Sequence, residues 1–138
     1  MARKLSSPSG RPVAPRRDHR AGSLKSWHAP HDVEFRRFST AGWTVVQAIG
    51  ELDVASTPVM RAVLDTVDVR ARVVIDLSEV TFMDASILRV LVAAWRTSTS
   101  GGGALRLVTS GGSVRRLLDL TRFSTLLPVY TNLDDATR

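Results

Sequence analysis

Few side chains in this 138-residue chain are of a type and spacing to do chemistry, and the most suggestive lie in one short stretch. After the β-branched run Val73-Val74-Ile75-Asp76-Leu77 come Asp84, Ala85 and Ser86, followed by the apolar-periodic segment that starts at Ile87. Asp and Ser are helix-initiating types, and taken alone the pair reads first as caps. The same placement would leave a serine hydroxyl exposed at a helix N-terminus, where backbone N–H groups and the helix dipole stabilise an added phosphate. Other chemistry is scarce. The three histidines, His19, His28 and His31, all fall near the N-terminus, so no histidine is well placed as a base for a Ser-His-Asp triad. Absence of cysteine excludes disulfides, thiolate metal sites and a cysteine nucleophile, and fits a reducing, cytoplasmic setting. The run Gly101–Gly103 follows a helical pattern and precedes no Lys-Ser/Thr pair, so it reads as a flexible connection and not a phosphate loop. Arg115 and Arg116 read as a solvated face. No catalysis and no cofactor are expected.

The elements that would position Asp84 and Ser86 follow from periodicity. Val33 and Phe35 alternate with polar neighbours as a strand, Ala41-Gly42 is a turn, and Trp43 to Ile49 is a second strand, giving an antiparallel hairpin. Ser56 or Thr57 is placed to cap a helix with Pro58 in its first turn and Val59, Val63 and Val67 on one face. The run at 73–77 predicts a central strand covered on both faces. A helix over about 86–96, a strand over 104–108, a short helix around Val114, Leu117 and Leu118, and a strand near 127–130 complete the order. This is an α/β domain, residues 31–138, with a mixed, mostly parallel sheet of about five strands.

Charge divides the chain differently. The formal net charge is +6, and residues 31–138 are balanced, so the excess belongs to residues 1–30. That segment holds Pro8, Pro12, Pro15 and Pro30 with little apolar periodicity, and predicts a disordered basic tail in which Trp27 has no evident partner. Such a tail can attract nucleic acid, but a solubilising extension or an upstream start is the plainer explanation, and nucleic acid is not an expected partner. The longest apolar run, Val90 to Trp95, is far short of the ~20 residues of a membrane span.

Two motifs carry a family resemblance. Gly50-Glu51-Leu52-Asp53 is similar to a Gly-x-Leu-Asp turn, and Asp76-Leu77-Ser78 through Phe82-Met83-Asp84-Ala85-Ser86 is similar to a strand-to-helix loop commonly written Asp-Ser-Ser-Gly. Together with the element order and Leu126-Leu127-Pro128-Val129-Tyr130, they make residues 33–135 resemble the anti-sigma factor antagonists, the stand-alone STAS domains of bacterial partner-switching systems. The resemblance implies that Ser86 is phosphorylated by an anti-sigma factor that is itself a serine kinase, and that a phosphatase resets it. It implies that Asp53 and Asp84 border the kinase contact, and that ATP belongs to the kinase. Ala85 stands where the first of the two usual serines would be. Ile87 and Arg89 replace glycines common in the family, and as two bulky residues on the first helical turn they would alter the surface offered to a partner. Arg89, three residues after Ser86, is placed to pair with a phosphoserine. The alternative is an adaptor that binds a protein or small ligand without being phosphorylated.

Overall fold

The computed structural model describes residues 24–138; the expected disorder of residues 1–23 lies outside them. Six strands form one sheet in sequential order: β1 (Lys25–Ala29), β2 (Val33–Thr40), β3 (Trp43–Leu52), β4 (Arg72–Met83), β5 (Ala104–Val108) and β6 (Val129–Tyr130). The first three are antiparallel neighbours; β3, β4, β5 and β6 are parallel. The helices are α1 (Thr57–Asp65), α2 (Ile87–Ser100), α3 (Gly112–Leu120) and the short α4 (Leu133–Ala136).

The hairpin turn forms where the sequence places it. Ala41 and Gly42 both have positive φ, 51° and 81°, the handedness that matches the twist of the flanking strands. Residues 73–77 are buried throughout, as a strand covered on both faces must be. One face of the sheet packs under α1, α2 and α3 through Phe35, Val46, Ile75, Met60, Leu91 and Leu118. The other carries a smaller cluster of Trp43, Val45, Val74 and Val108 closed by Leu133 and Ala136 of α4. There the Trp43 ring lies 4.7 Å from the Arg72 guanidinium and 4.3 Å from that of Arg106.

The sheet corrects the sequence reading at its first edge. β1 is a sixth strand, and it lies inside the segment assigned to the tail, so the boundary at residue 30 moves to before Lys25. Trp27 supplies the reason: it is buried in the main core, with the Arg37 guanidinium 5.9 Å from its ring. Burying one indole stabilises far more than a single exposed polar residue of the strand costs.

β4 outruns β5. Its pairing with β5 ends at Asp76↔Val108, whereas its pairing with β3 continues to Leu52↔Met83. Beyond β5 the Ser110 and Ser113 hydroxyls donate to the carbonyls of Ser78 (3.1 Å) and Thr81 (3.3 Å), standing in for the missing strand. The extension carries the chain directly into Asp84.

Candidate functional site

Because β3 and β4 are parallel and end level with each other, their two exit turns are adjacent. The Asp84 N–H donates to the Leu52 carbonyl (2.8 Å), tying the β4–α2 loop to the residue before Asp53. Two of the expected site residues are thereby brought together from 31 positions apart in the chain.

The β3–α1 turn is built around Asp53. Its carboxylate accepts from the Ser56 N–H and from the Ser56 hydroxyl, each at 3.1 Å, and holds a 3-10 turn over Val54–Ser56. Ser56 is fully buried; it donates to Asp53 and makes no side-chain cap to α1. The other Asp53 oxygen lies 2.8 Å from His31 Nδ1. Burial pushes the Asp53 carboxyl up, but the hydrogen bonds from His31 and Ser56, together with the His31 charge, outweigh it and hold it below the usual carboxylate value.

His31 was invisible as a site residue in the sequence, where it sat at the edge of the presumed tail. It reaches Asp53 because the β1–β2 connection turns through two consecutive left-handed residues, His31 (φ 66°) and Asp32 (φ 63°). His, Asn and Asp tolerate that region better than most side chains, so His-Asp after Pro30 was the available signal.

The β4–α2 loop repeats the device with a different outcome. Asp84 accepts from the Ser86 N–H at 2.8 Å and so caps the entry to α2. Ser86 lowers the Asp84 carboxyl below its ordinary value, first through its hydroxyl and then through its N–H, against slight burial and the Asp53 charge. The hydroxyl does not meet the carboxylate in hydrogen-bonding geometry; the N–H bond is the firm contact. Ser86 Oγ is left shielded from water and without a partner. The exposed hydroxyl expected from sequence is therefore corrected: the helix packs its first turn down, and the serine side chain goes with it.

Of the remaining expected contact residues, Ala85 and Arg89 are exposed and Ile87 is not. Ile87 is wholly buried among the core residues under α2, so it belongs to the interior and presents no surface to a partner. Arg89 has no ion-pair partner among the described residues. Two large apolar side chains are uncovered on the same edge, Val54 beside Asp53 and Phe82 two residues before Asp84. Among the described residues no group of His, Cys, Asp or Glu is arranged to hold a metal, and no helix is long and apolar enough to cross a membrane.

Residues 35–136 match the STAS domain family. The chain is 29% identical over 94 residues to the anti-sigma F factor antagonist of Paenibacillus polymyxa, spanning 66% of this chain and 80% of that one. It is similar to the crystal structure of an anti-sigma factor antagonist from Mycobacterium paratuberculosis, with a TM-score of 0.72 and 30% identity, covering 79% of this chain and 94% of that one. The phosphorylated form of the Bacillus cell fate determinant SpoIIAA shares the fold at a TM-score of 0.56 and 19% identity, covering 75% of this chain and 99% of that one. The match to the family begins at Phe35, so β1 and His31 lie outside it.

Proposed function

Since the chain belongs to the STAS domain family, we propose that it acts as an anti-sigma factor antagonist, switched by phosphorylation of Ser86. The observation that carries this reading is the Asp84-Ala85-Ser86 turn. Asp84 takes the Ser86 N–H and leaves the serine hydroxyl unpaired at the mouth of α2, the position where a phosphate is best accommodated. Unmodified, the edge formed by Asp53, Asp84, Ala85, Arg89, Val54 and Phe82 presents charge around two apolar side chains to an anti-sigma factor serine kinase, releasing its sigma factor for transcription.

Phosphoryl transfer requires Ser86 Oγ to turn outward from its shielded position. The new group brings roughly −1.5 to −2 charges at pH 7 beside Asp84 and Asp53. Like charges set together at an interface cost several kcal/mol, and each ~1.4 kcal/mol is tenfold in affinity. A loss of binding of about a hundredfold or more follows without a change of fold. Arg89, without an ion-pair partner among the described residues and on the first turn of α2, supplies a cation for the phosphate within the chain. In this reading ATP belongs to the kinase and a phosphatase resets the state; both meetings take place in the bacterial cytoplasm.

Shielding of the hydroxyl favours a second reading, an adaptor that binds its partner without being modified. Intact mass and peptide mapping separate the two, using the protein, ATP and the anti-sigma serine kinases of its own genome. One added phosphate that maps to Ser86 and is missing in Ser86→Ala supports the switch. A stable complex that stays unphosphorylated overturns it in favour of the adaptor.

A further inference from the structure

A segment outside the family match reaches the partner-facing edge. Between β1 and β2 the chain turns at Pro30, His31 and Asp32, all exposed, and sets the His31 ring on Asp53. An ionised carboxylate only accepts, so the ring nitrogen facing it, Nδ1, carries the proton. With Ser56 on the other oxygen, both oxygens of Asp53 are engaged and the group is held in one orientation. The same segment crosses the start of the Gly50–Asp53 motif, where a Cβ on Gly50 would stand 3.5 Å from the Asp32 carbonyl oxygen. It is firmly held: Ala29 pairs with Val33 across the turn, and Trp27 anchors β1 in the main core.

Folding gains little from this contact. The His31 side chain is 70% exposed, and an ion pair that open contributes little to stability. Yet the turn that delivers it is strained, with His31 and Asp32 consecutively left-handed at φ 66° and 63°. Glycine would take that backbone without strain, and what a glycine at 31 would lose is the imidazole on Asp53. Strained residues persist where the surroundings enforce them, and they gather at functional sites. We propose that His31 is a positioning residue for partner binding: it aims the Asp53 carboxylate, and so makes the β1–β2 connection part of the partner-binding edge. Without the ring, Asp53 keeps its bonds to Ser56 but its second oxygen is left to water, and the group must be ordered anew each time a partner docks. This role rests on the reading that the Asp53–Asp84 edge meets an anti-sigma factor, and adds to that edge a residue that contributes orientation and not contact.

The test compares His31→Gly, which suits the left-handed backbone and removes only the ring, with His31→Asn, which tolerates the same backbone and returns an N–H donor. Each full chain is titrated calorimetrically with the anti-sigma serine kinase of the same genome that binds the parent, and Ser86 phosphorylation is timed alongside. His31→Gly is expected to raise Kd and KM about three- to fivefold, the size of one exposed ion pair, with kcat and the urea midpoint close to those of the parent. His31→Asn should recover most of that loss. In an Asp53→Ala chain, which has no carboxylate to aim, His31→Gly should change nothing further. An unchanged Kd in His31→Gly overturns the role while leaving the Ser86 switch standing. So does a loss that persists in the Asp53→Ala chain, since the ring then meets the partner itself. A loss that tracks a fallen urea midpoint and is not recovered in His31→Asn makes the ring only structural, and overturns it too. A partner that binds without phosphorylating Ser86 removes the switch, and Kd alone then decides the role of His31. If no such kinase binds the parent chain, the edge and the role of His31 fall together.

Discussion

The two turns at the C-terminal edge of the sheet use the same pair of residue types and end in opposite states. In the β3–α1 turn, Asp53 takes both the N–H and the hydroxyl of Ser56, and that serine disappears into the protein fully paired. In the β4–α2 loop, Asp84 takes only the N–H of Ser86, and the hydroxyl is left over. One residue of spacing makes the difference. Asp53-Val54-Ala55-Ser56 closes a full 3-10 turn that folds the hydroxyl back on the carboxylate, whereas Asp84-Ala85-Ser86 is too short to do so. A serine whose bonds are all used is a structural residue; one held in place by its backbone alone keeps its oxygen for something else.

Breaking the satisfied turn should have the largest effect. Asp53→Ala strips Ser56 of both bonds and frees His31, and leaving that buried hydroxyl unpaired costs roughly 2 kcal/mol, read as a lower midpoint of urea unfolding. Asp84→Ala should lower the midpoint less, since only one N–H at an open edge loses its acceptor. If the two variants fall equally, the asymmetry between the turns is not energetic.

Removing the serines sharpens the same contrast. Ser56→Ala is expected to destabilise by about 1 kcal/mol, the net worth of an ordinary hydrogen bond. Ser86→Ala gives up no hydroxyl bond and should lie within about 0.5 kcal/mol of the parent chain, so that any loss of partner switching in that variant is chemical and not a failure to fold.

The smallest effect is in acid. Both carboxyls are held below their ordinary value in the folded chain. Their contribution is therefore complete above the ordinary aspartate pKa of about 3.9 and is lost as pH falls through the lowered values. Unfolding curves between pH 5 and 2 should show Asp53→Asn losing less stability in that window than the parent chain does. An identical slope would remove Asp53 from the acid response.

Much of this arrangement is legible in the chain. The Ala41-Gly42 turn, the doubly buried run at 73–77, the strand over 104–108 and the loop bearing Asp84 and Ser86 are each dictated locally, by backbone preference or by a hydrophobic period. What escaped depends on contacts between distant segments. Nothing near His31 announces Asp53, and nothing in the basic, proline-rich start of the chain marks Trp27 as a core residue. Ile87 is the instructive case. With Val90 and Leu91 it forms an i, i+3, i+4 stripe, and that period, not its nearness to Ser86, decides that it lies inside.

The sequential strand order has a consequence for how the protein is made. A nascent chain leaves the ribosome N-terminus first, and here every strand finds its sheet neighbour already synthesised. None has to wait for a later segment, or wedge itself between two that have joined. Partners of low sequence separation also meet fastest, so the sheet can extend edgewise from its first hairpin while translation continues. The edge that bears Asp53 and Asp84 is complete once β4 and the first turn of α2 are laid down, well before the last helix exists.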